Sequence, residues 1–374
     1  MRIASVEVVP YALPFREPYV TARGRLDRRE MVLLRLRDHD GRVGLGEAVP
    51  LSLRGGTSLS RVVGELEGLG ERESLDESAV GQGSGLSAPA RCAALTALMD
   101  LRGKLAAGGA AESGAPPPIE CNATLVSGEP AAVAADAERW AEDGYSSFKL
   151  KLGAGDDVGQ VRAVREALGA DARIRIDANG VWDVETAQRT LAEVEPFEIE
   201  LAEQPVAGIE ELAAVAASTS IPISADESVE SREDAERARA AGACMVSGVK
   251  LSKVGGPEPA IEIAEVMTCY ISSGLDGPVG IAAGAQVAQT LQAGDEAVAL
   301  AHGLATQRLF ASTIAATECE LRDGAIHPPP GPGLGVEIDR GKLDFYHRHF
   351  LETSEVNEFY DPYRPGWIPA LPIF

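Results

Sequence analysis

Ser147-Phe148-Lys149-Leu150-Lys151 is a short apolar run that ends on a charge. The pattern recurs down the chain: residues 174–177, 199–203, 221–226 and 245–250 each read as a β-strand closing on an ionisable residue, Asp177, Glu203, Asp226 and Lys250 in turn. Successive ends fall about 25 residues apart, the period of one strand and one helix. Upstream, 119–124 reads as a strand of the same kind. Downstream, 269–273 and roughly 298–302 complete a set of eight. Amphipathic stretches over 130–143, 157–168, 184–194, 232–240 and 257–267 supply helices between them. This alternation predicts an α/β fold, a (β/α)8-type barrel, over residues 116–330. A doubly wound open sheet is the rival, but no glycine-rich nucleotide fingerprint follows the first strand.

Residues 1–115 read differently, as an α+β domain. The run 31–36, the turn Asp38-His39-Asp40-Gly41 and the return over 42–46 form an antiparallel hairpin, and 90–105 is the firmest helix. Residues 108–118 are glycine-rich, end in Pro116-Pro117-Pro118 and mark the domain boundary. The tail, 331–374, is rich in proline and aromatics and is expected to pack back on the N-terminal domain.

The chain has 374 residues, 45% hydrophobic and 24% charged, as in soluble globular proteins. A net charge of −23 argues against nucleic acid or an anionic membrane as partner, so a small-molecule carboxylate must be held by local cations or a metal. Five scattered cysteines without a CxxC indicate a reduced set rather than a disulfide framework. The N-terminus alternates like a strand and lacks a signal-peptide core, so a cytoplasmic location is expected. A homo-oligomer is compatible with the chain, but the sequence does not specify one.

Lysine is nearly absent. Only Lys104, Lys149, Lys151, Lys250, Lys253 and Lys342 occur, and four of these six sit in the stretches 148–152 and 249–253. Arginine solvates and pairs as well as lysine but cannot lose its proton, so lysines kept at two strand ends point to amines that must become neutral. Working groups in barrels sit at strand C-termini, and those ends in order are Lys151, Asp177, Glu203, Asp226 and Lys250. Any one acid there would serve as a helix N-cap. Three on successive strands would repel one another unless a cation neutralises them. With no His or Cys among the three, Mg2+ is favoured over Zn2+. Lysines either side of such a metal suit removal of a proton α to a carboxylate, with the metal stabilising the enediolate and lowering the base's pKa. Lys149 shares a strand face with Lys151; it acts on that base or pairs with a barrel acid.

The set Lys-x-Lys (149–151), Asp-x-Asn (177–179), Glu-Gln-Pro (203–205), Asp-Glu (226–227) and Lys-x-x-Lys-x-Gly-Gly (250–256), in this order and spacing, resembles the enolase superfamily, muconate-lactonising subgroup. The resemblance spans essentially the whole chain, including Gly44-Leu45-Gly46-Glu47-Ala48. It implies an enolase-like, modified TIM barrel with an α+β capping domain, Mg2+ (or Mn2+ as substitute) on Asp177, Glu203 and Asp226, and Lys151 with Lys250 as the acid/base pair. Lys149, Asn179, Glu227 and Lys253 are supporting residues. The mandelate-racemase subgroup would need a His after the seventh strand, where this chain has Ser272-Ser273.

Within the subgroup, Thr21-Ala22-Arg23-Gly24, Arg29-Glu30 and the stretches 44–51 and 272–284 are similar to o-succinylbenzoate synthases. That likeness implies dehydration of 2-succinyl-6-hydroxy-2,4-cyclohexadiene-1-carboxylate in menaquinone biosynthesis, with Ser272 and Ser273 as substrate-carboxylate ligands or plain strand-end caps. Dipeptide epimerases usually carry an Asp-x-Asp near the eighth strand, which 301–307 lacks. Synthases that also racemise N-succinylamino acids tend to have Arg where Lys253 stands. The stretch 52–57 does not match the synthases well and leaves the substrate open. An N-acylamino-acid racemase or muconate-type cycloisomerase is the alternative. A non-catalytic barrel binding metal and carboxylate is a further one, against which the lysine pair speaks, since a binder could use arginine.

Overall fold

The structure, a computed structural model, describes residues 2–21, 24–50, 56–72, 74–107, 116–292 and 300–356. Strands β1 (Ile3–Thr21), β2 (Gly24–Asp38) and β3 (Val43–Ala48) form an antiparallel sheet in the order β1-β2-β3. Strand alternation gives the sheet two apolar faces. Val32, Leu34 and Leu36 pack with the helices α1 (Leu59–Glu67), α2 (Glu77–Val80) and α3 (Ala88–Ala106), while Met31 and Leu33 join the core shared with the barrel.

Gly44 and Gly46 let α3 lie directly on β3. A Cβ at Gly46 would stand 1.9 Å from the Ala93 carbonyl oxygen, and one at Gly44 2.1 Å from that of Ala97. Neither oxygen can swing aside, because both belong to helix backbone. Gly46→Ala is therefore expected to destabilise the protein by about 3 kcal/mol, read as a drop in melting temperature. An unchanged melt would mean that α3 slides freely on the sheet.

The barrel begins after a split. The expected strand over 119–124 divides at Cys121 into β4 (Ile119–Glu120) and β5 (Asn122–Leu125), because each half has its own partner. β4 pairs antiparallel with the hairpin strand Ala325–His327, outside the barrel. β5 leads a seven-stranded parallel sheet with β6 (Ser147–Lys151), β7 (Arg173–Asp177), β8 (Ile199–Glu203), β9 (Ile223–Ala225), β10 (Val246–Val249) and β11 (Thr268–Ile271), in chain order across the sheet. The helices are α4 (Pro130–Glu142), α5 (Asp157–Leu168), α6 (Val184–Val194), α7 (Ile209–Ala216), α8 (Arg232–Ala240), the single turn α9 (Leu251–Val254), α10 (Pro257–Ala264) and α11 (Pro278–Gln292).

The eighth position is filled by two bridging residues. His302 pairs with Cys121 and Gly303 with Ser272. The amide of Asn122 donates to the His302 carbonyl at 2.9 Å, and that of Ser273 to the Gly303 carbonyl at 2.9 Å, so the ring closes between its first and seventh strands. Positions 298 and 299 of the expected eighth strand lie outside the described residues, as do residues 108–115 of the expected linker and 357–374 of the tail.

Several contacts fasten the N-terminal sheet to the rest. Glu47 docks at the start of α11, accepting from the Gly280 amide at 2.9 Å and from the Tyr11 hydroxyl, and burial lifts its pKa to about 7. Arg29 of β2 donates to the Gly274 carbonyl, 3.0 Å away, in the loop after β11. The helix α12 (Arg340–Val356) lies along β1, where His347 Nδ1 donates to the Pro10 carbonyl at 2.7 Å. All five cysteines are free thiols, and among the described residues no helix is long and apolar enough to cross a membrane.

Candidate active site

Parallel pairing brings the charged strand ends side by side. Lys151 is in register with Asp177, and Asp177 with Glu203. Asp226 and Lys250 each lie one residue beyond the strand that points to them. The reasons are local. The Asp226 amide leaves the ladder to donate to Gln204 Oε1 at 2.9 Å, and Lys250 is already the N-cap of α9. Lys149, Lys151, Lys250 and Lys253 are at most 7% exposed, and Asp177, Glu203 and Asp226 at most 2%. This degree of burial demands pairing.

The pairing is dense. Lys149 Nζ lies 2.5 Å from Glu203 Oε1 and 2.9 Å from Asp177 Oδ2. Lys151 Nζ lies 2.5 Å from the same Asp177 oxygen and 3.2 Å from Asn179 Oδ1. On the other side of the ring, Asp226 Oδ2 accepts from Lys250, and its Oδ1 lies 3.0 Å from Lys253 Nζ. Asn179 also reaches Glu227 Oε1, 3.4 Å from its Nδ2. The strand-end acids and lysines thus form two paired groups, one around Asp177 and Glu203 and one around Asp226, close enough for Asp226 and Lys250 to act on the charge of Asp177.

Lysine ammoniums thus pair with all three acids. Among the described residues, no three Asp, Glu, His or Cys side chains converge, as placed, to hold an ion between them. The chemistry of the donor set nevertheless fits a hard divalent cation. Three carboxylates stand on adjacent strands without nitrogen or sulfur, and Asp177 and Glu203 already share one positive charge at Lys149 Nζ. Burial is the largest single influence on Lys149 and Lys151 and works against their charge, but the neighbouring acidic groups, Asp177 foremost, together outweigh it and raise both pKa values. Asp177 is itself held well below the usual carboxylate range, since Lys149 and Lys151 outweigh its burial.

Ser272 and Ser273 part company. The Ser273 hydroxyl donates to Asp276 Oδ2 at 2.8 Å and accepts from the Asp276 amide at 2.9 Å and from Thr306 at 2.7 Å. One donor and two lone pairs are then used up, which makes Ser273 a loop cap. Ser272 Oγ lies against Gly303, where a Cβ would stand 2.8 Å from it. The loop stretch 52–57 is described only from Gly56, and Ala22 and Arg23 lie outside the described residues. Tyr19 of β1 stands close enough to Lys151 to raise its pKa. Its ring stacks on Phe15, which stacks on Phe310 of the barrel at 4.9 Å.

The sequence reading missed three further residues. Gln204, at φ 40°, holds both the Asp226 and the Ser228 amides on its Oε1, the latter at 3.1 Å, and so shapes the loop that carries Asp226. Asn179 shares this left-handed backbone, at φ 51°; such strain in non-glycine residues gathers at working sites. Arg175 and Tyr270 lie inside the barrel below the ring. Each sits two residues before a singled-out position, so the period of two could have found them. His302 is buried near Arg175, and burial together with that guanidinium lowers its pKa to about 4, so it is neutral at pH 7.

Residues 132–342 match the family model described as "Enolase C-terminal domain-like". The o-succinylbenzoate synthase of Thermobifida fusca is 39% identical over 209 residues, a match that covers 54% of this chain and 65% of that enzyme. The muconate lactonizing enzyme from Pseudomonas fluorescens, solved with muconolactone, superposes with a TM-score of 0.83 at 28% identity, covering 92% of this chain and 99% of that one. The dipeptide epimerase from Enterococcus faecalis V583, solved with Mg and the dipeptide L-Leu-L-Tyr, superposes with a TM-score of 0.80 at 26% identity, covering 90% and 100%.

Proposed function

This chain belongs to the enolase superfamily, and from that premise we propose that it is a Mg2+-dependent o-succinylbenzoate synthase of the muconate-lactonising subgroup. The observation that carries the reading is the placement of Lys151 and Lys250 at opposite ends of one buried run of acids, paired with Asp177 and Asp226 respectively. Mg2+, held by Asp177, Glu203 and Asp226 and replaceable by Mn2+, would supply a fixed divalent charge for the substrate's ring carboxylate.

The chain's own residues do the rest. Lys151 takes the proton α to that carboxylate as a neutral amine. Asp177 holds Lys151 charged in the structure, so the amine is freed once the Asp177 oxygens are engaged elsewhere. Protonated Lys151 then returns its proton to the departing hydroxide on the same face, and water leaves. Lys250 stays charged on the opposite face, where it favours the delocalised anion and, through a cation–π contact, the ring. Burial excludes bulk water and strengthens both electrostatic terms. Ser272 remains available to the succinyl carboxylate.

A second reading has its own support. Amines on two faces also suit proton removal and return in an N-acylamino-acid racemase, and a muconate-type cycloisomerase would use the same frame. Purified protein with Mg2+ is expected to convert the cyclohexadiene substrate to o-succinylbenzoate and to leave N-acylamino acids unexchanged in D2O. Rapid α-deuterium incorporation without dehydration would replace the synthase reading with the racemase one.

A further inference from the structure

We propose that Tyr270 is a positioning residue that presents Glu203 to the barrel mouth, with Arg175 under its ring and an absent side chain at Gly248 making room for its hydroxyl. The inference rests on the reading of Glu203 as a metal ligand.

Tyr270 is fully buried on β11 and donates its hydroxyl to Glu203 Oε2. Lys149 takes the same carboxylate as well, 2.5 Å from each of its oxygens. Two donors from different strands fix the rotamer of a buried carboxylate more firmly than one, and such outer partners set how well a ligand is aimed. The phenol is itself held. The Arg175 guanidinium carbon stands 5.0 Å from the ring centroid, and that guanidinium is anchored by Glu200 and by the Ala301 carbonyl, 2.7 Å from its Nη1. Leu201 and Leu300 close around the ring.

Packing alone would be served by phenylalanine. The hydroxyl needs a particular accommodation, and the neighbouring strand provides it. Gly248 is the register partner of Tyr270, and a Cβ there would stand 2.7 Å from the phenol oxygen. A glycine inside a strand weakens it, so its presence calls for a close neighbour that needs the space. Here that neighbour is the oxygen that reaches Glu203.

The test is Mn2+ titration of the purified full-length protein, followed by the EPR signal of bound Mn2+ and by the melting temperature of the metal-free protein. Tyr270→Phe is expected to weaken Mn2+ binding roughly 10–100-fold and to change the bound-Mn2+ line shape, with the metal-free melt nearly unchanged. Gly248→Ala pushes the hydroxyl aside by a second route and is expected to weaken binding likewise, while the double variant binds no more weakly than Tyr270→Phe alone. Glu203→Gln serves as the reference for a lost ligand. If Glu203→Gln binds poorly but Tyr270→Phe stays within about two-fold of wild type, or if the two substitutions add, the positioning role is refuted and the metal site stands. If Glu203→Gln binds Mn2+ like wild type, the metal reading fails and the inference with it.

Discussion

Lys151→Ala is expected to remove turnover, a loss on the order of 10⁴-fold, while Mg2+ affinity stays within a few-fold of wild type. The separation follows from the pairing. Asp177 is shared by two lysines, and Lys149, 2.9 Å from it, still covers its charge when Lys151 is truncated. The carboxylate is therefore not left unpaired, and the fold and ligand set should survive. What disappears is the amine in line with the α-proton. Calorimetric Mg2+ titration beside the dehydration rate checks both halves. A wild-type rate would strip Lys151 of the role of base, whereas a collapse of metal affinity would make it a structural cation.

Asp226→Asn should have the widest consequences of any single change at the site. Asp226 is fully buried and holds Lys250 and Lys253 at once. An amide keeps the shape but cannot balance two ammoniums, and breaking a buried pair costs about 3–5 kcal/mol. The metal requirement is expected to rise by roughly 100-fold or more, beyond what loss of an outer partner produces, with a lower metal-free melting temperature. Measuring activity against Mg2+ concentration, alongside a thermal melt, separates the two effects. A wild-type Mg2+ response in this variant would take Asp226 out of the ligand set.

The ring was legible because two simple periods coincide. A two-residue alternation places Lys149 with Lys151 and Arg175 with Asp177 on the inner face. A spacing of about 25 residues then stacks the strand ends in register. Ser272 and Ser273 show where this stops. As sequence they are equivalent hydroxyls at a strand end. Only the loop folding back through Asp276, and Thr306 in the turn that follows the eighth position, saturate one and leave the other. Gln204 was similarly hidden, since its side chain serves amides more than twenty residues away.

Local pattern was therefore enough to read the barrel, the inventory of acids and lysines and their order around the mouth, because each depends on the chain's near neighbours and on strand periodicity. Who neutralises whom was not readable in that way. Coulomb energy between buried charges depends on separations set by register across strands and on the water excluded around them. Those quantities exist only in the folded barrel, where Lys149 bridges Asp177 and Glu203 while Lys250 and Lys253 share Asp226.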